Sequence, residues 1–221
     1  MESVQDHQPE VSRHLKEFIE EFATESDRAA VVLGAAKLDI LLYEILQSFL
    51  LPCTGNAVDL LEGDAGLGTF SARIHAAYRL GLIGSQLARA LHVVRKIRDS
   101  VAHDTSAHNL STGSHRDRIR QLVAPLRAHK SFDEMKQLPP FAGMEGASRD
   151  FRMFLAVACA RLWGRLEHTT TVPSDQACSY LPDLWEAEPV TDAGPPAAIA
   201  LAFPSGRIPR APAGGPAAKA G

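Results

Sequence analysis

Apolar side chains recur every three or four positions along most of the chain up to His168, the period of helices that bury one face. Val11, Leu15, Phe18, Ile19 and Phe22 predict an amphipathic first helix from Glu10 to Ala23. Thr24 or Ser26 caps the next, with Asp27 completing a capping-box-like Thr-x-x-Asp, and that helix runs to about Phe49 before Pro52 stops it. A short turn is expected over Ala57 to Glu62, and Gly63-Asp-Ala-Gly-Leu-Gly68 reads as a loop. Thr69 starts a helix from Phe70 to Leu80 that ends at Gly81, and a longer one spans about Ser85 to His103, giving a helical hairpin. Residues 104–114 form a polar loop, Arg116 to Leu126 a short basic helix ending near Pro125, and Lys130 to Gly146 an irregular stretch around Pro139 and Pro140. Phe151, Phe154, Leu155, Ala158, Leu162 and Leu166 define a last helix from Ser148 to about His168.

No stretch alternates apolar and polar residues as a half-buried strand does, so the expected class is all-α, a bundle of about five to six helices. Between Glu186 and Gly221, 23 of 36 residues are Pro, Gly or Ala, too little to build a core. The expected organisation is a flexible N-terminus over 1–9, a helical domain over 10–172 and a disordered Pro/Ala/Gly-rich tail over 173–221.

Composition changes this picture little. With 45% hydrophobic residues and 22% charged in 221, the chain is globular, and its net charge of −3 does not by itself require nucleic acid. Cys53, Cys159 and Cys178 are odd in number and widely spaced, which fits a reducing compartment and neither a disulfide framework nor a zinc site. The N-terminus lacks a basic segment followed by an apolar run, so no secretory signal is expected and a cytoplasmic location follows. The most apolar window, Val31 to Leu51, is interrupted by Lys37, Asp39 and Glu44, so it predicts a buried helix and no membrane span.

Those interruptions are the first chemical signal. At about 100° per residue, Arg98 falls among Leu87, Leu91, Val94 and Val101, and Asp39 falls among Val32, Leu42, Tyr43, Leu46 and Leu50. Buried opposite charges are expected to pair, which predicts contact between Arg98 and Asp39, either as a device fixing helix register or as part of a cleft or interface. Beside Arg98, the residues Arg95, Asp99 and His103 follow one another at helical spacing. Asp99 is placed to orient His103, and a carboxylate-oriented histidine near an arginine is what metal-independent cleavage of RNA needs: an acid–base group and a cation for the phosphoryl transition state. Taken alone, His103 is explained more simply as a helix C-terminal histidine favouring the negative end of the dipole.

Three stretches together resemble the mannitol operon repressor (MltR) family: Ala30 to Asp39 with Glu44; Leu60 to Gly63 continuing through Leu67-Gly-Thr-Phe-Ser-Ala-Arg73 to Ile83; and Ile97 to His103. The resemblance covers roughly residues 10–170 and implies an all-helical, dimeric bacterial cytoplasmic regulator acting through protein or nucleic-acid contacts. Asp39, Glu44, Arg73 and Arg98 are the candidate buried or interface charges. Arg98-x4-His103 also resembles the motif of HEPN domains, helical dimers in which it carries ribonuclease activity in many toxins; that resemblance implies Arg98, Asp99 and His103 as catalytic residues of an alternative function.

Charge is segregated along the chain, with ten Lys/Arg against five acids from Arg89 to Lys136, so Arg95, Lys96, Arg116, Arg118 and Arg120 are the candidates for nucleic-acid contact. Ala77, Gly81, Leu82 and Leu87 superficially match helix-turn-helix spacing, but the helix that follows runs about 19 residues with a full apolar face, and glycine-joined helical hairpins are common without DNA. The loop Gly63-x-x-Gly66-x-Gly68 lacks the Lys and hydroxyl of a phosphate-binding loop, and His92, His103, His108 and His115 fit no metal spacing, so neither cofactor nor metal is expected. Arg73 and Tyr78 belong to the family-like segment, and Cys159 is expected in the core as a small hydrophobe.

Overall fold

A computed structural model of the protein describes residues 8–53, 59–103 and 110–173, all within one unit comprising residues 1–176. The expected disordered tail, most of the flexible N-terminus, Cys178 and parts of two loops lie outside the described residues. Among those described there are eight helices and no strand: α1 (Gln8–Thr24), α2 (Asp27–Phe49), α3 (Phe70–Arg79), α4 (Ser85–His103), α5 (Gly113–Arg127), α6 (Phe132–Lys136), α7 (Pro139–Ala142) and α8 (Gly146–Glu167).

The core forms around α2, which packs against α8, α4, α3 and α1. Leu38, Leu41, Leu42, Ile45 and Leu46 of α2 are fully buried, as are Leu91, Val94, Ile97 and Val101 of α4 and Phe151, Leu155 and Leu162 of α8. Gly34 lies against the end of the Leu155 side chain, where a Cβ would collide, so its absence allows close approach of α2 and α8. Phe22 of α1 is buried and Phe18 and Ile19 pack against the core, as the first helical face requires; the side chains of Val11 and Leu15 are outside those described.

The helix ends follow their capping chemistry. Ser26 Oγ accepts from the Ala29 N–H at 3.2 Å, whereas the Thr24 hydroxyl donates backwards to the Glu21 carbonyl at 2.9 Å. Ser26 is therefore the cap of α2, and the expected Thr24–Asp27 capping box is not formed. Thr69 caps α3 by accepting from Ala72 N–H at 3.2 Å, and Gly81, at φ 72°, turns the chain out of that helix.

Two expectations are corrected between α4 and α8. Helix α5 starts at Gly113 and continues past Pro125 to Arg127, because a proline in the last turn deprives only one carbonyl, that of Gln121, of its helical donor. The stretch from Lys130 to Gly146 is not irregular but carries α6 and α7, each anchored by one buried phenylalanine, Phe132 and Phe141, with Pro139 at the first position of α7 where its missing N–H costs nothing. These short helices raise the number above the expected five to six. No helix among the described residues is long and apolar enough to cross a membrane.

Candidate functional site

The C-terminal half of α4 carries the residues that suggested chemistry. Arg95 Nη1 donates to Asp99 Oδ2 at 2.9 Å, and Arg98 Nε lies 3.3 Å from Asp99 Oδ1, so both carboxylate oxygens face arginines. His103, the last residue of α4, is exposed and has no hydrogen bond or ion pair among the described residues; Asp99 does not orient it. Arg98 lies on the buried arc but reaches out of it, with 39% of its side chain exposed. Lys96 is exposed.

Asp39 does not meet Arg98; its partner is Arg73, whose Nη1 donates to Asp39 Oδ1 at 2.8 Å. Arg73 also donates from Nε to the Leu67 carbonyl at 3.0 Å and from Nη2 to the Leu61 carbonyl at 2.9 Å, with its guanidinium 5.1 Å from the centre of the Tyr43 ring. One half-buried arginine thus ties the glycine-rich loop to α2, because that irregular backbone leaves carbonyls that no helix satisfies. Glu44 is half-buried and has no ion pair among the described residues.

Two buried charges were missed by sequence reasoning, both on α8. Arg152, with 3% of its side chain exposed, donates to Asp27 Oδ1 at 2.8 Å, to the Glu25 carbonyl at 2.6 Å, to the Phe22 carbonyl at 3.4 Å and to the Ser148 hydroxyl. Asp27 additionally accepts from Ser148 Oγ at 2.6 Å and from the Leu110 N–H at 3.2 Å. Burial acts to raise the Asp27 pKa, but the bonds from Ser148, Arg152 and Leu110 outweigh it and hold the group below its usual 3.8. Asp150, 1% exposed, pairs with Arg127 Nη2 and lies 3.6 Å from Arg149 Nε. The wheel construction that singled out Arg98 places Arg152 between Cys159 and Ala156, which was the available signal.

The basic residues of α5 do not make a continuous track. Arg116 and Arg120 are exposed on one face, Arg116 lying 3.7 Å from Asp117, while Arg118 is half-buried on another. Across the α3–α4 hairpin the rings of His75 and His92 lie 4.6 Å apart; burial, followed by the charges of His75, Arg95 and Lys96, lowers the His92 pKa from 6.5. Burial pushes the Cys159 thiol up to about 12, so it is an inert core residue. Among the described residues no group of three or more His, Cys, Asp or Glu could hold a metal ion.

A groove of about 810 Å³ lies between α4, α5 and α8, with Ser131 and Met135 also lining it. Its walls are mostly apolar. A smaller polar cleft of about 260 Å³ surrounds Arg127, Lys136, Arg149, Asp133 and Asp150.

No family model and no curated protein matches the chain. Among solved structures, the X-ray structure of the MtlR-HPr complex from Escherichia coli is similar to it, with 20% sequence identity and a TM-score of 0.49, covering 70% of this chain and 99% of that chain.

Proposed function

We propose that the protein is a regulator of the mannitol-operon-repressor type, acting by binding a protein partner rather than by chemistry. The observation that carries this reading is the state of Asp99: held by Arg95 and Arg98, it offers nothing to His103, so Arg98-x4-His103 lacks an oriented acid–base group. The sequence resemblance over residues 10–170 supports the regulator class. The separate faces of Arg116 and Arg118 favour a protein over nucleic acid, because a phosphate backbone is followed by cations along one face.

The homodimer implied by the resemblance has a candidate seam in the outward face of α2. Val32, Leu33 and Ile40 are 42%, 38% and 49% exposed there, an apolar cluster left open to solvent on the helix around which the core forms. In this reading Ile40→Glu converts a dimer to a monomer in sedimentation equilibrium.

The reading is tested in a bacterial host carrying a mannitol-uptake promoter fused to a reporter. Expression of the chain is expected to lower reporter output, His103→Ala to keep that effect, and Ile40→Glu to lose it. Reporter output that never responds to the chain overturns the reading.

A further inference from the structure

We infer that the groove between α4, α5 and α8 is a binding site for a single-chain amphiphilic anion, an apolar body ending in a carboxylate. Its volume of about 810 Å³ falls in the range of ligand sites, roughly 300–1,000 Å³, and is far larger than the gaps left by imperfect packing. Three helices supply its apolar surface. Leu122 and Phe154 are nearly buried in it, while Leu87, Val93, Leu126 and Val157 line it from α4, α5 and α8. Leaving that surface wetted is unfavourable, and an apolar occupant recovers the burial.

Charge selects the occupant. No acidic residue lines the groove, whereas Arg89 from α4 and Arg161 from α8 do, and both are exposed without an ion pair among the described residues. Arg73, Arg95, Arg127 and Arg152, by contrast, each hold an aspartate. Two cations with no counter-ion beside an apolar trough suit a ligand that brings the carboxylate itself, bound by charge-assisted hydrogen bonds. The site is independent of the regulator reading, since neither Asp99 nor the outward face of α2 lines it.

The test is calorimetric titration of the full chain with dodecanoate below its micelle concentration, with dodecyltrimethylammonium as the cationic counterpart. Saturable binding of one dodecanoate per chain is expected, with affinity at least about tenfold lower in an Arg89→Glu, Arg161→Glu double variant. Val93→Trp, which fills the trough, is expected to abolish binding; Ala90→Met serves the same purpose should the larger side chain disturb the circular dichroism spectrum. The inference is overturned by absence of saturable binding, by equal affinity for the cation, or by filled-groove variants that bind as well as the parent. A parent dimer that Val93→Trp dissociates in sedimentation would also overturn it, by assigning the groove to a second copy.

Discussion

Arg152 on α8 and Arg98 on α4 both sit among apolar neighbours on long helices, and on a helical wheel they are hard to tell apart. Their surroundings separate them. Arg152 points at the junction of α1 and α2, where α1 ends and its last carbonyls have no helical donor; Phe22 and Glu25 supply acceptors, and Asp27 supplies the charge. Arg98 lies near the end of its own helix and finds only its neighbour Asp99. An inward arginine is therefore a fastener where another chain segment ends against it, and a surface-reaching cation where none does.

The comparison breaks most readily on stability. Replacing Arg152 with Met leaves Asp27 half-buried and unpaired beside orphaned carbonyls, which is expected to cost about 3–5 kcal/mol in urea unfolding. Arg98→Met, removing a pair that is more than a third exposed, is expected to cost less than about 1 kcal/mol. Equal costs would mean that the contrast is false.

Arg73→Met sharpens it at intermediate size. Three bonds from a half-buried guanidinium are lost, for an expected cost of about 2 kcal/mol, with faster proteolysis between Leu60 and Gly68. Asp39→Asn retains the loop carbonyl bonds and is expected to cost less.

A pH titration of stability probes the same two regions. Asp27 has a folded-state pKa below its ordinary 3.8, so it contributes stability that is fully present above that value and is lost as pH falls through the folded pKa. Asp27→Asn is expected to flatten that part of the acid limb. His92 acts in the opposite sense to a paired histidine: its lowered pKa means that the unfolded chain binds the proton first, so stability declines as pH falls from about 6.5 towards the folded value. His92→Gln is expected to remove that decline, the smallest of these effects.

Much of the fold was legible in the sequence because α2, α4 and α8 announce themselves by period and by punctuation: Pro52, Gly81 and the cap at Thr69 each act locally. Less was legible where a tertiary anchor decides. One phenylalanine apiece makes α6 and α7 helical, and Pro125 is tolerated because so little of α5 follows it. The same limit governs the charges. Periodicity grouped Asp39 with Val32 on an inward arc, yet Asp39 is 29% and Val32 42% exposed; the partner of Asp39 was Arg73, supplied by the helix whose loop needed tying down, and no wheel of a single helix contains that information. The wheel of α8 carried the signal for Arg152 itself, but not for its acceptors, which lie more than a hundred residues earlier in the chain.

In the proposed reading Asp99 is taken up by Arg95 and Arg98 and His103 performs no acid–base step, and RNA tests this most directly. The purified full chain is incubated with mixed single-stranded RNAs in EDTA, beside a folded His103→Ala variant. The account predicts that both leave the RNA intact; cleavage by the parent that disappears in the variant would contradict it.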